Sequence, residues 1–300
     1  MDIETRARAK INLHLEVLNR RPDGYHNIFS LMARVGLHDL LKLGCDLNRR
    51  SAGGLDLTLR TDGGDFARII EETPLETNLI VRAIRAYCTR VGLSGAVHVA
   101  IEKNIPAGAG LGGGSSDAGA VLNALNERLG LLSREELMAM GSRLGADVPF
   151  CMTGGAAFCE GTGDKITRVD CRFRHHVLIA HNGTHVNTAE AYRSLNRTNY
   201  PQRSREELER TRREITSRCM TGDAGALSSV ARNDFERPVF ERHESLARVK
   251  LVLIEGGADL AAMTGSGSAV FGLFRDRTSM ERTAASLSAQ GVWSGQTEFM

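Results

Sequence analysis

The stretch Pro106-Ala-Gly-Ala-Gly-Leu-Gly-Gly-Gly-Ser-Ser-Asp117 contains five glycines and runs directly into an apolar helical pattern. Glycine lets the backbone approach an oxyanion closely and adopt positive φ, and the N–H groups at the start of a helix carry partial positive charge. Ser115 or Ser116 is expected to cap this helix. The stretch therefore predicts an anion-binding loop, with a phosphate chain as the expected ligand.

Two known phosphate-loop patterns fit this stretch only in part. The Walker A pattern G-x-x-x-x-G-K-[ST] fits Gly108, Gly113 and Ser115, but Gly114 stands where its lysine is required. The dinucleotide pattern G-x-G-x-x-G also fits, yet no acidic residue closes a second strand about 20 residues further on. A turn without a ligand is the remaining alternative, although such turns rarely place glycines directly before a helix. A loop that binds phosphate through backbone amides is favoured.

The composition indicates two compact domains and no nucleic-acid surface. The chain has 300 residues, 42% of them hydrophobic, which is enough for two cores of ordinary size. The formal net charge of +2 and the lack of a long basic run argue against a nucleic-acid partner. A glycine-rich segment at 153–163 marks the boundary, so the predicted domains are 1–170 and 171–300. The sequence indicates no oligomeric state.

The six cysteines indicate a reducing compartment. They form no C-x-x-C pair and no zinc-ribbon spacing, and most are surrounded by apolar residues. The first residues do not resemble an export signal, and no apolar run is long enough to cross a membrane. We therefore expect free buried thiols in a cytoplasmic protein without a membrane partner. Lone histidines at 175, 176, 181 and 185 are not expected to bind a metal.

The segment 9–17 alternates between apolar and polar residues, which predicts a half-buried strand. Its period places Lys10 and Asn12 on one face, where both can reach a common ligand. For the strand alone, a solvated polar face is the favoured interpretation. The following turn, Arg21-Pro-Asp-Gly-Tyr-His26, brings an aromatic and an imidazole ring next to this strand. These rings suit a flat ligand, although a hairpin with a packed Tyr25 explains the turn equally well.

Further elements follow from periodicity and from helix start and stop signals. Asp147 lies at a corner just before Pro149, where a carboxylate either points into a cleft or simply caps a turn. The stretch Ala262-Met-Thr-Gly-Ser-Gly-Ser-Ala-Val-Phe271 is a second glycine turn, for which a plain hairpin is the alternative. Predicted helices are 78–92, 118–129, 134–144, 188–195 and 204–218, predicted strands are 97–102, 176–180 and 250–255, and 53–64 is expected to form a hairpin.

Three motifs occur in the order typical of the GHMP small-molecule kinases, and the chain resembles that family. They are Lys10-x-Asn12, the loop 106–117 and the turn 263–271. Further segments resemble the branch of the family whose substrate is a cytidine diphosphate-linked methylerythritol. The resemblance spans nearly the whole chain and implies an α+β fold, the GHMP kinase fold, with an N-terminal domain like ribosomal protein S5 domain 2 and a C-terminal ferredoxin-like domain. The further segments are 21–26, Asn78-Leu-Ile, Gly145-Ala-Asp-Val-Pro-Phe150 and Asn233-Asp-Phe-Glu236.

The resemblance also implies an activity and its residues. The activity is ATP-dependent phosphorylation of the 2-hydroxyl group of that substrate in the non-mevalonate isoprenoid (terpenoid) pathway, with Mg²⁺ as a further cofactor. Asp147 is expected to act as the base, Lys10 to stabilise the transferring group, and Ser116 to lie next to Mg²⁺. Expected substrate-binding residues are Asn12, Tyr25, His26, Thr188, Tyr192, Gly265 and Ser266. Expected ATP-binding residues are Asn78, Lys103, Pro106, Gly108, Gly110, Leu111, Gly112, Gly113, Gly114, Ser115 and Ser116.

Other activities stay open at the level of sequence. The main alternative is another GHMP kinase, acting on homoserine or mevalonate phosphate, against which Tyr25 and His26 argue. A non-catalytic ligand-binding member of the fold is less consistent with Lys10, Asp147 and an intact glycine loop occurring together. The detail of the substrate pocket is also open, because the chain departs from the family pattern at 181–185, Thr264 and Ser268.

Overall fold

The computed structural model describes residues 1–49, 54–195 and 203–300, and it divides them into two compact units. The first unit lies within 1–9, 38–107 and 112–153, and the second within 10–37, 108–111 and 154–300. Two long strands, β1 (Asp2–Arg20) and β2 (His26–Asn48), pair with each other and contribute residues to both units. The domain boundary between residues 170 and 171 stays a prediction.

The first unit combines a sheet with a set of helices. Residues 40–48 of β2 pair antiparallel with β4 (Ser94–Glu102), and β4 pairs in parallel with β3 (Leu55–Gly63). Parallel neighbours need a crossover connection. The expected hairpin is therefore wrong for the described residues 54–64, since β3 reaches its partner through helices. These are α1 (Arg68–Glu72), a short 3-10 helix (Leu75–Thr77) and α2 (Leu79–Val91), and α3 (Gly113–Leu129), α4 (Arg134–Leu144) and α5 (Val148–Thr153) follow β4.

In helix α2, capping residues and apolar periodicity together produce the predicted helix 78–92. Asn78 is its N-cap and accepts the N–H of Ile80, and Gly92 ends it with a φ of 68°. Its apolar residues recur at helical spacing and are buried against α3 and the sheet. The shared core includes Ile80, Ile84, Tyr87, Val97, Val99, Val121, Leu122 and Leu125.

The second unit contains two sets of paired strands. Residues 28–33 of β2 pair with β5 (Ala156–Gly161), which pairs with β6 (Lys165–Val169). A four-stranded antiparallel sheet has the order β10-β7-β9-β8, formed by β7 (His176–His181), β8 (Leu260–Met263), β9 (Val270–Phe274) and β10 (Trp293–Glu298). The helices are α6 (Thr188–Ser194), α7 (Arg205–Thr221), α8 (Ala224–Ser228), α9 (Glu236–Arg242), α10 (Glu244–Glu255) and α11 (Arg277–Ala289).

The predicted strand at 250–255 is wrong, because these residues form the end of α10. Leu246, Val249 and Leu253 recur at helical spacing and are buried, and Val249 and Leu253 pack into the core of the four-stranded sheet. Leu251 and Ile254, which made the segment look like a buried strand, are exposed. The other predicted helices and strands are confirmed, with β1 and α3 longer than predicted.

Candidate active site

The loop 106–117 has the backbone conformation that its glycines predict. Gly108, Gly110 and Gly112 have φ values of 67°, 81° and 70°, in the left-handed region that other residues rarely adopt. Helix α3 begins at Gly113 with Gly112 at its N-cap, and no side chain caps it. The N–H groups of its first turn are therefore left for another acceptor, as an anion site requires. Within the loop, Pro106 and Leu111 are buried.

Ser115 and Ser116 do not cap α3, contrary to expectation. The glycine run itself continues as helix, so both serines lie inside the first turn rather than before it. Ser116 is 2% exposed, and its hydroxyl donates to the carbonyl oxygen of Arg8 in the same unit. Ser115 is half-buried and Gly114 is exposed. Gly114 and Ser115 are therefore more accessible than Ser116 at this helix start.

A buried ion cluster lies against the start of α3. Lys103 is 3% exposed, and its ammonium donates to the carboxylate of Asp39 and, at 2.8 Å, to that of Asp117. A Cβ added at Gly113 would lie 3.2 Å from Lys103 Nζ. The lysine thus supports the first residue of the helix with its charge already paired. Direct contact between Lys103 and ATP stays a prediction.

The two carboxylates of this cluster differ in their surroundings. Asp39 Oδ1 also accepts the backbone N–H groups of Asn104 and Ile105, at 2.6 and 2.8 Å. Among the described residues, Asp117 Oδ1 is buried without a hydrogen-bond partner. Burial raises the pKa of Asp117 to about 7, Lys103 opposes this rise, and Asp39 adds to it. Asp117 therefore keeps its proton at pH values where an exposed aspartate has lost it.

The polar face of β1 is buried, not solvated as its alternation alone suggested. Lys10, Asn12, His14 and Glu16 are each at most 3% exposed. Lys10 Nζ donates to Asn12 Oδ1 at 2.7 Å, so the predicted shared face of these two residues is confirmed. His14 Nε2 lies 2.9 Å from Glu16 Oε1. These polar side chains stay buried because they form hydrogen bonds and ion pairs within the second unit.

The second glycine turn lies between β8 and β9 and is bonded to Asn12. Asn12 Oδ1 accepts the N–H of Gly265 at 2.9 Å, and Thr264 Oγ1 accepts the Asn12 N–H at 3.1 Å. Thr264 Oγ1 also lies 3.1 Å from the carbonyl oxygen of Gly110. A Cβ on Gly110 would lie only 2.0 Å from the Thr264 carbonyl oxygen, so glycine is required at this contact. Lys10, Asn12 and the turn thus form one bonded group.

The hydroxyl groups of two predicted substrate-binding residues, Thr188 and Ser266, meet at the second glycine turn. Thr188 Oγ1, at the start of α6, is 3.0 Å from Ser266 Oγ. Gly265 has a φ of 57°, and a Cβ there would lie 3.5 Å from Lys10 Nζ. The structure therefore brings Thr188, Gly265 and Ser266 together with Lys10 and Asn12.

The predicted aromatic residues form a stack in the second unit. The rings of His26 and Tyr192 are nearly parallel, with centroids 4.6 Å apart, and Tyr192 contacts the buried Phe235 edge-on at 4.9 Å. Burial, together with the nearby charge of Arg20, lowers the pKa of His26. A neutral imidazole is thereby favoured as a stacking partner. Tyr25 projects from the adjacent turn and is 67% exposed.

Asp147 lies in the first unit, in the turn that joins α4 to α5. It is half-buried, and Val148, at the start of α5, is fully buried beside it. The predicted corner position is confirmed, because α4 ends at Leu144 and α5 begins three residues after Gly145. The residue as a whole is thus only partly buried at this turn.

Several functional-looking residues were missed by reasoning from sequence. Asp39 received no role, although an acidic residue inside the apolar strand β2 signals a buried ion pair. Glu16 is held by Arg203 at 2.8 Å and by Arg232, neither of which has a local sequence signal. His185 lies near the loop, since a Cβ on Gly108 would be 3.4 Å from its ring. Each of these pairs joins residues far apart in the chain.

Neither a metal cluster nor a membrane helix occurs in the part of the chain that the structure describes. Within residues 1–49, 54–195 and 203–300, no three His, Cys, Asp or Glu side chains are grouped so that they could hold a metal ion. His175 has a carboxylate partner after all, with Nε2 lying 3.0 Å from Asp259 Oδ2. None of the helices in these ranges combines the length and the apolar character needed to span a bilayer.

Comparisons with known proteins connect this geometry to a family. Residues 78–155 match the model of the GHMP kinases N-terminal domain, and residues 205–292 match that of the GHMP kinases C-terminal domain. The 4-diphosphocytidyl-2-C-methyl-D-erythritol kinase of Solibacter usitatus is 41% identical over 92% of this chain and 83% of its own length. The enzyme of the same name from Syntrophotalea carbinolica is 38% identical, covering 96% of this chain and 95% of its own.

Solved structures agree with this relationship. A crystal structure of 4-(cytidine 5'-diphospho)-2C-methyl-D-erythritol kinase superposes with a TM-score of 0.75 at 32% identity, covering 99% of both chains. A homoserine kinase from Cytophaga hutchinsonii reaches a TM-score of 0.72 at only 18% identity, covering 99% of this chain and 94% of its own, which shows the shared fold alone. The expected α+β GHMP kinase fold is confirmed. The chain belongs to the GHMP kinases and, within them, to the family of 4-diphosphocytidyl-2-C-methyl-D-erythritol kinases.

Proposed function

We propose that this protein transfers the γ-phosphoryl group of ATP to the 2-hydroxyl group of 4-diphosphocytidyl-2-C-methyl-D-erythritol, in the non-mevalonate isoprenoid pathway. The observation that carries the proposal is the similarity, over nearly the full chain, to kinases named for this substrate. The buried Lys10–Asn12 pair and the uncapped start of α3 support it, because they supply the charge and the amides that phosphoryl transfer needs.

The loop and the start of α3 are proposed to bind the phosphates of ATP. Phosphoryl transfer depends mainly on positioning and on neutralising charge, which preorganised backbone N–H groups provide. The three glycines of positive φ expose these groups, and Lys103 supports them from its ion cluster. The proposed nucleotide-binding residues are Asn78, Lys103, Pro106, Gly108, Gly110, Leu111, Gly112, Gly113, Gly114, Ser115 and Ser116.

Asp147 and Lys10 are proposed as the catalytic residues. Asp147 would accept the proton of the attacking hydroxyl group, and its partial exposure is consistent with that role. Lys10 would stabilise the negative charge on the transferring group, and its bond to Asn12 holds the ammonium in a defined place. The proposed substrate-binding residues are Asn12, Tyr25, His26, Thr188, Tyr192, Gly265 and Ser266.

Mg²⁺ is proposed only as the companion of ATP. When bound, it would neutralise charge on the phosphates of the nucleotide. Ser116 was the expected ligand, but its hydroxyl donates to Arg8 and is buried, which does not suit a metal ligand. We therefore assign the ion no protein ligand.

Substrate-dependent release of ADP tests the proposed reaction. The purified protein should release ADP from ATP with 4-diphosphocytidyl-2-C-methyl-D-erythritol, and not with homoserine or mevalonate phosphate. Free cytidine diphosphate should inhibit competitively if the aromatic residues bind the cytosine ring. Release with homoserine instead would overturn the proposal in favour of the related kinases.

The variant Asp147→Ala tests the proposed base. A positioned general base contributes roughly 10² to 10⁴ in rate, so kcat should fall at least about a hundredfold. The thermal unfolding temperature and the affinity for ATP should change little, because the residue lies in a partly exposed turn. Near-normal turnover in this variant would remove Asp147 from the mechanism.

A further inference from the structure

The segment Asn233-Asp-Phe-Glu236 contains no residue of the proposed active site, yet its residues bond to several parts of it. Asn233 is 7% exposed and uses its whole side-chain amide. Its Nδ2 donates to the carbonyl oxygens of Met263 and Gly265, at 2.7 and 2.8 Å, and its Oδ1 accepts the N–H of Phe235 at 2.9 Å. The amide is therefore fixed in orientation, because both of its hydrogens are used.

Gly265 is held from both sides by asparagine side chains. Its N–H donates to Asn12 Oδ1 at 2.9 Å, and its carbonyl oxygen accepts from Asn233 Nδ2. The same Asn12 oxygen accepts the ammonium of Lys10 at 2.7 Å. The peptide groups around Gly265 and the position of Lys10 are thus linked through one continuous set of buried hydrogen bonds.

The rest of the segment anchors this arrangement. Glu236 accepts the N–H of Met263 at 2.7 Å, so the residue before the turn is held at its N–H as well as at its carbonyl group. Asp234 Oδ2 accepts the N–H of Val17 on β1 at 2.8 Å. Phe235 contacts the ring of Tyr192. The segment therefore bonds to the glycine turn and to β1 and packs against the aromatic stack.

We propose that Asn233 is a positioning residue for phosphoryl transfer: it fixes the Gly265 peptide and, through Asn12, the ammonium of Lys10. The inference rests on the proposed function. Asn233 itself does not contact the reacting atoms in this scheme. Its loss would let the turn and Lys10 move, while the ion cluster that supports the start of α3 stays in place.

The variant Asn233→Ala separates positioning from a purely structural role. Misplacement of a reacting group by about 1 Å costs up to about a hundredfold in rate, so kcat should fall roughly ten- to hundredfold. The KM for ATP should change by less than about threefold, because Asn78 and the start of α3 have separate anchors in the first unit. An unchanged kcat would overturn the proposal.

A matched control is Asn126→Ala in the first unit. Asn126 also bonds a loop through its amide, donating to the carbonyl oxygen of Leu132 at 3.0 Å and accepting its N–H at 2.9 Å. We expect this variant to lose a comparable amount of thermal stability and to keep its kcat. If its kcat fell as much as that of Asn233→Ala, the positioning role would be refuted.

The variant Asn233→Asp decides the question if Asn233→Ala does not fold. Aspartate keeps the size and the acceptor for the Phe235 N–H, but an ionised carboxylate repels the carbonyl oxygens of Met263 and Gly265. As pH falls, the carboxyl group of the variant regains a proton that it can donate to one of these carbonyl oxygens. The ratio of the variant's kcat to that of the native chain should therefore rise as pH falls. A ratio independent of pH would overturn the proposal. A native chain that is inactive on every substrate would instead refute the proposed function itself.

Discussion

The start of α3 and the second glycine turn are both glycine-rich, but different chemistry holds each in place. Lys103, Asp39 and Asp117 form a buried ion cluster against the start of α3. The second turn is held instead by the neutral amides of Asn12 and Asn233. The charge of an ion cluster depends on pH, and loss of one member strongly destabilises the folded state. Side-chain amides, in contrast, are neutral over the whole pH range. The start of α3, proposed to bind the nucleotide, should therefore be more sensitive to pH than the second turn.

The largest expected effect comes from removing the positive charge of the cluster. Lys103→Met leaves two buried carboxylates without a counter-ion, which should lower the free energy of unfolding by about 3–5 kcal/mol. Urea unfolding measures this loss. Lys42→Met is the control, because its pair with Asp62 is exposed and should cost at most about 1 kcal/mol. Equal losses in the two variants would mean that the buried cluster has no special role.

A second change tests the point at which the loop touches the second turn. Gly110→Ala would place a methyl group 2.0 Å from the carbonyl oxygen of Thr264, so the turn must move. We expect kcat/KM to fall about a hundredfold, or about 2.7 kcal/mol. Gly130→Ala is the control, since Gly130 also has a positive φ, of 64°, but has open space around it. A similar loss of activity in both variants would attribute the effect to backbone strain rather than to the contact.

The smallest effect for a single step is the change in stability over one pH unit, which is at most ~1.4 kcal/mol. Burial raises the pKa of Asp117 from 3.8 to about 7, so between these pH values the folded state holds a proton that the unfolded chain has released. The free energy of unfolding should therefore fall as pH rises across this window, by up to ~1.4 kcal/mol per pH unit. Asp117→Asn should flatten this slope in unfolding measured from pH 4 to pH 7. An unchanged slope would assign it to other groups.

The parts of the site that sequence could predict are those with a local signal. Glycine spacing indicated the positive φ values of the loop, and the period of a strand placed Lys10 beside Asn12. Local pattern could not show that the polar face of β1 is buried, because that depends on residues such as Arg232. The pairing of Lys103 with Asp39 was missed for the same reason.

The error at 250–255 has a related cause. Four consecutive apolar residues, 251–254, look the same in a buried strand and in a helix with an exposed apolar side. Only the packing of Leu253 into the core, with Leu251 left in solvent, distinguishes the two. Likewise, Asn233 looked like part of a motif without a role until its bonds to Met263 and Gly265 were visible.

The stack of His26 on Tyr192 has a consequence for substrate recognition. The centroids of the two rings are 4.6 Å apart, which is a stacking distance. On the facing sides of the two rings, each ring therefore takes the place that a third ring would need in order to stack on the other. A cytosine ring that stacks on Tyr192 at this face must first displace the imidazole. Under the proposed function, the affinity for the base would reflect the difference between two stacking energies. In the free protein, His26 covers this face of the Tyr192 ring.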